Sequence, residues 1–183
     1  MDLLRAVNSI LPKLGEHPVT NLSLKHPTLA IILPVVESTL DTVLMRGWWF
    51  NQYQYTVYPD SEKFAGVPVN TLEFLPDEEG PVVRGRRFFN TRTQDYKFDA
   101  PFKGVLKERL TFEEVPETIA NLVLYTALVE VYLTDIGLEQ IVREWENLAE
   151  IADQQACSEH LRNKRYGTRK SHRYHRIRNA MRG

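Results

Sequence analysis

The stretch from Pro27 to Arg46 constrains the fold most, because it is helix-length and apolar on almost every side. Pro27 suits the first position of a helix, where its missing N–H leaves no bond unmade. Leu29, Ile31, Ile32, Leu33, Val35 and Val36 then project all round the axis. Only further on do Leu40, Val43 and Leu44 settle on one face. A helix of this kind has to be covered on more than one side, so the chain must wrap other elements around it. Pro34 predicts a bend within it, and Gly47 predicts its end. No uninterrupted apolar run approaches the ~18–20 residues that span a bilayer, so membrane insertion is not expected.

The covering elements can be read on either side. Asp2 caps a first helix, about residues 2–14, in which Leu3, Leu4, Val7, Ile10, Leu11 and Leu14 share a face. Pro116 opens a third helix, about 116–135, with Glu113, Glu114 and Glu117 expected at its positive end. Ile119, Leu122, Val123, Leu128, Val129 and Tyr132 crowd one broad face of it. After Gly137 a more charged helix follows, about 138–161, with Ile141, Val142, Trp145, Leu148 and Ile151.

Between the second and third helices the period changes. Tyr53, Tyr55 and Val57 alternate with polar partners, a strand signal. Thr71–Leu75, Val82–Arg84, Arg86–Phe89 and Val105–Phe112 are further short candidate strands, and Val83-Arg84-Gly85-Arg86 is a bulge or tight turn. The class expected is α+β: a helical bundle with an inserted small antiparallel β-subdomain, about 53–112. The folded domain is expected over 1–160, with an extended basic C-terminal arm over 161–183. Hydrophobic residues make up 43% of the 183, enough for one core and against wholesale disorder.

The net charge of −1 conceals a division. Residues 161–183 hold Arg162, Lys164, Arg165, Arg169, Lys170, Arg173, Arg176, Arg178 and Arg182 and no acidic residue. The preceding 160 hold fourteen basic against twenty-four acidic residues. An acidic body thus carries a basic arm, with Tyr166 and Tyr174 interleaved. Such an arm can bind nucleic-acid phosphate, dock on an acidic protein surface, or remain solvated. An acidic body could also line a DNA passage with like charge, so that DNA slides instead of sticking.

Candidates for chemistry are sparse. Glu113 and Glu114 are adjacent and point apart, which suits a helix start better than a shared substrate. His172 and His175 lack a third nearby ligand, and metal sites normally need three or four. Cys157 is the only cysteine, so no internal disulfide can form. P-loop, dinucleotide and nucleophile-elbow patterns are missing. Neither cofactor nor metal is expected, and enzymatic activity is not. The N-terminus has no basic segment or cleavage site of a signal peptide, so synthesis in a cytoplasm is expected. Trp48, Trp49, Phe50, Tyr53, Tyr55 and Tyr58 are expected to divide between core and interface.

Four segments together resemble a known family. Ala6-Val7-Asn8-Ser9-Ile10-Leu11 with Gly15-Glu16-His17-Pro18-Val19 resembles the opening of the tail tubular protein A family of podoviruses. Arg46-Gly47-Trp48-Trp49-Phe50-Asn51 is similar to its RGW-x-FN segment. Val83-Arg84-Gly85-Arg86-Arg87-Phe88-Phe89-Asn90, with Phe98-Asp99, resembles its paired strands. Leu110-Thr111-Phe112-Glu113-Glu114-Val115-Pro116 is similar to its segment before a long helix. The four stand in the family's order across about residues 2–155. The link between the first two helices is shorter than the pattern, and the basic arm after Leu161 does not align with it.

The resemblance implies a structural virion protein of the phage tail: a dodecameric adaptor ring beneath the portal protein. It implies a platform for the nozzle, tail tubular protein B, and for tail fibres, with genomic DNA passing through the lumen. On that reading the basic arm is the expected portal-docking element. Arg84, Arg86 and Arg87 are the expected contacts on the nozzle and fibre side, against the alternative of a solvated strand face. Two other classes stay open: a particle-associated glycan or peptidoglycan hydrolase, which needs two facing carboxylates, and a nucleic-acid-binding protein acting through the arm.

Overall fold

The computed structural model of the chain describes residues 1–23, 25–137 and 139–164. The described residues form α1 (Leu3–Ile10), a 3₁₀ turn (Leu11–Leu14), α2 (Pro27–Met45), β1 (Gln52–Val57), β2 (Thr71–Pro76), β3 (Pro81–Arg84), β4 (Arg87–Asn90), β5 (Phe102–Glu108), α3 (Glu117–Asp135) and α4 (Gln140–Asn163). The class is α+β.

The helices build one core. Asp2 Oδ1 accepts the Arg5 N–H at 2.6 Å and starts α1. Ala6, Val7 and Ile10 from α1, Ile32, Val36 and Leu44 from α2, Ile119, Val123, Leu128 and Val131 from α3, and Val142 and Ala156 from α4 all lie in it. Gly15 closes the 3₁₀ turn in the left-handed region, φ +80°, where a glycine costs least.

The run at α2 is a core helix with one polar edge. Its mean hydropathy reaches 1.6, so by length and composition it could cross a membrane. Counting uninterrupted apolar residues had missed this, because Glu37 and Asp41 interrupt the run without lowering its average much. Leu29, Ile32, Val36, Leu40 and Leu44 are buried. The helix runs through Pro34 as a single element.

The strands form two sheets where one was expected. β5 is central in the first, in the order β1-β5-β2, with both pairings antiparallel. β3 and β4 make a separate hairpin. β5 begins at Phe102, earlier than its alternating residues suggested, and ends at Glu108. Leu110–Phe112 instead belong to the connection into α3. A second core lies between the sheets: Val57, Ala65, Phe74, Phe88, Phe98, Phe102 and Leu106. Phe74, Phe88 and Phe102 pack edge to face, with centroids 5.0–6.1 Å apart, the arrangement ring quadrupoles favour.

Glu113 and Glu114 precede α3, whose acidic first-turn residue is Glu117. Glu114 serves the turn before the helix, accepting the Thr111 N–H at 2.8 Å and its hydroxyl at 3.0 Å. α4 runs on through Asn163, past the point where the arm was expected to begin.

Candidate interaction surfaces

Two of the segments that carried the family resemblance are joints. At the first, Asn8 Nδ2 donates to the Val19 carbonyl at 2.9 Å, and Asn8 Oδ1 accepts the Val19 N–H at 2.8 Å. One side chain thus replaces a strand partner and pins the link between α1 and α2.

The second joint welds the helical core to the sheet. The last carbonyls of a helix have no partner within it. In α2 three of them are met by side chains from the sheet side. The Trp48 indole N–H donates to Val43 O at 2.7 Å. Asn51 Nδ2 donates to Leu44 O at 3.0 Å, and Lys107 Nζ of β5 donates to Met45 O at 2.6 Å. Asn51 is fully buried. Its Nδ2 also reaches Glu108 O at 3.0 Å, and its Oδ1 accepts the Trp48 N–H at 2.8 Å. Gly47, at φ +75°, makes the turn. Arg46 stacks over Trp48 at 4.8 Å and pairs with Asp153 of α4. His160 of α4 packs edge-on to Trp48 at 5.6 Å. Its Nδ1 is buried without a hydrogen-bond partner among the described residues. Burial, then the Lys164 and Arg46 charges, push the imidazole below its ordinary pKa.

The aromatic segment divides along the chain. Trp48 is buried, Trp49 and Phe50 are half-buried, and Tyr53, Tyr55 and Tyr58 are exposed. Tyr53 and Tyr55 lie on β1, an edge strand of its sheet.

Arg84, Arg86 and Arg87 come together at the tip of the β3–β4 hairpin, all exposed. Arg84 pairs with Arg87 across the ladder, leaving Gly85 and Arg86 as a two-residue turn. Gly85 takes φ +62°, as the first central residue of a II′ turn requires. Arg84 lies over Phe89 at 3.7 Å and Arg87 over Phe64 at 5.1 Å. None of the three is ion-paired with a described residue.

Of the basic arm, Arg162 and Lys164 are described. Both are exposed, on the last turn and C-cap of α4, where cations complement the helix dipole. Arg165, Arg169, Lys170, Arg173, Arg176, Arg178 and Arg182 lie outside the described residues, as do His172 and His175. The end of α4 packs against the connection from α2 to β1, through His160 against Trp48 and Trp49.

A further surface was not foreseen. A groove of about 510 Å³ runs between α2 and the connection from β5 to α3. Leu33, Val36, Leu40, Leu110 and Phe112 line it, and Glu37, Glu113 and Glu114 stand along it. Arg109 Nε donates to Asp41 at 2.7 Å, and Nη2 donates to Asp41 at 2.8 Å and Glu37 at 3.0 Å. The spacing of Glu37 and Asp41, one helical turn apart, was a usable signal for a cation clamp.

Stitched joints, an exposed aromatic edge strand and an arginine-tipped hairpin are the equipment of an assembly protein. The family model for tail tubular protein matches residues 4–166. The chain therefore belongs to the tail tubular protein family and is a structural component of a phage tail, carried in the virion and made in the host cytoplasm. It is 30% identical over 182 residues to tail tubular protein A of Klebsiella phage KP34, covering 98% of each chain. That alignment is too long to stop before the basic arm, so the relative has residues opposite it.

Proposed function

We propose that this tail protein forms the adaptor ring between the portal and the tail nozzle, a dodecamer through which the genome leaves. The near full-length likeness to a chain called tail tubular protein A carries this reading. On it, the basic arm from Arg162 onward docks on the portal. The hairpin arginines Arg84, Arg86 and Arg87 face the nozzle, tail tubular protein B, and the fibres. The fold supports such a division of labour: the β3–β4 hairpin has its own rigid turn and presents cations with no described counter-charge. The rest of the arm follows Lys164, the C-cap of α4, and its length sets how far a portal surface can be reached. The 19 residues after Lys164 span up to about 60 Å when extended. A helix of 19 residues, like α2 or α3, is only about 28 Å long. The role is mechanical: to convert one ring into the platform for the next.

The test is electron microscopy of the chain mixed with its phage's purified portal, beside the chain alone. A new layer with one copy per portal subunit is expected. No layer at any salt concentration overturns the reading. The charge of the arm favours direct DNA binding as a second reading. That reading requires a DNA affinity falling steeply with salt and lost on truncation after His160.

A further inference from the structure

We infer that the acid-edged groove between α2 and the Arg109–Glu114 connection is the resting place of the chain's own basic segment, residues 165–183. The inference rests on the groove and on the charge of that segment, and does not depend on the ring reading.

The groove has an apolar floor and an acidic edge. Leu33, Leu110 and Phe112 supply the floor, and Glu37, Glu113 and Glu114 line it as well. Its one cation among the described residues, Arg109, is already engaged by Glu37 and Asp41. Glu113 has no ion-pair partner among the described residues. A negative surplus therefore remains beside half-buried hydrocarbon, Leu33 and Leu110. An occupant must carry several cations, no carboxylate, and spaced apolar side chains. Residues 165–183 carry seven Lys or Arg, no Asp or Glu, and Tyr166, Tyr174, Ile177 and Met181.

The segment also starts close by. Thr118, in the first turn of α3, donates to Glu159 of α4 at 2.5 Å. The end of α4 therefore lies against the start of α3, and the residues just before α3 form one wall of the groove. Arg162 is one turn beyond Glu159, so only a few of the remaining residues are needed to reach the groove edge. A tether this short holds the segment at an effective concentration of order millimolar. Weak contacts then suffice to seat it. The contact is screened by salt, so a more acidic partner surface can draw the segment out.

Carbodiimide coupling of the full chain tests this. Lys170 is the only lysine in the segment, so its ε-amine reports where the segment rests. Equal amounts of ¹⁴N- and ¹⁵N-labelled chain are mixed at low salt, coupled and mapped by mass spectrometry. Amide links from Lys170 to Glu37, Glu113 or Glu114 within single-isotope chains are expected. Their yield should fall about tenfold or more at roughly 0.5 M NaCl, and similarly when Glu113→Lys reverses the exposed edge charge. Three results each overturn the inference. One is that Lys170 couples to none of these carboxylates. Another is that the links form only between chains of different isotope, which assigns the groove to a second copy. The third is a yield indifferent to both salt and charge reversal.

Discussion

At the scale of single residues, the joint at Asn51 concentrates the most bonding in the least volume. Removing its amide leaves Glu108 O and the Trp48 N–H short of a partner, while Leu44 O keeps the Gly47 N–H at 3.0 Å. A lost partner in a buried place costs about 1–3 kcal/mol for each group it orphans. Asn51→Ala is therefore expected to lower stability by about 2–4 kcal/mol in urea unfolding. Tyr58→Ala, on an exposed side chain, should stay within about 0.5 kcal/mol. A small effect at Asn51 would contradict the weld described here. Gly104 makes a different demand. A Cβ there would meet Leu75 O and the Phe74 ring, both at 2.5 Å. Gly104→Ala should thus destabilise by about 1–3 kcal/mol, read by the same unfolding curves.

His160 gives the pH dependence. Its folded pKa is depressed, so the folded state favours the neutral ring while the unfolded chain takes up the proton first. Its contribution is complete above the unfolded value near 6.5 and is lost as pH falls through the folded one. The loss of stability below pH ~6.5 should be shallower in His160→Gln. Parallel pH profiles for the two chains would count against burial as the cause. None of this was visible in the sequence. Asn8, Asn51 and Gly104 look like ordinary polar or turn residues until distant chain segments meet them. The resemblance had marked two of the three, Asn8 and Asn51, without saying what they do.

At the scale of elements, hydrophobic period and punctuation located most of the structure. Pro27, Gly47 and Pro116 mark helix ends because each has a steric reason to sit there. The strands were harder. β5 was displaced because Phe102-Lys103-Gly104 lacks a clear alternating signal, yet it pairs with both neighbours. Pairing energy comes from partners that are remote in sequence. The split into two sheets was likewise hidden, since a hairpin and an added strand look alike locally. The Gly85–Arg86 turn, by contrast, is a local matter. Gly85→Asn should be mildly destabilising, and Gly85→Val should cost more, about 1 kcal/mol or above, because a β-branched residue resists positive φ most. Thermal unfolding distinguishes the two, and equal melting temperatures would exclude the II′ geometry.

At the scale of the whole molecule, two separate cores and one weld imply unequal stability. The sheet module has seven buried apolar residues in its cluster, far fewer than the bundle. Regions with few buried contacts open at lower free energy than the global value. Amide exchange in β3 and β4 is expected to be faster than in α3, with β1 and β5 slowed near Asn51. Uniform protection across both modules would refute a two-core account.

The sequence by itself determined the class of the fold, the helix limits near prolines and glycines, the acidic body with its basic arm, and the family. These follow from local sterics, periodicity and composition, which need no partner in space. Only the tertiary structure decided which polar residues are joints, which charges are already paired, and where surfaces remain open. Arg109 shows why. In sequence it is one cation among twenty-three Lys and Arg. In space it clamps two carboxylates of α2 from 68 and 72 residues away, and it leaves Glu113 and Glu114 facing an apolar groove. A charge acts through its distance to other charges, and that distance is fixed only when the chain has folded.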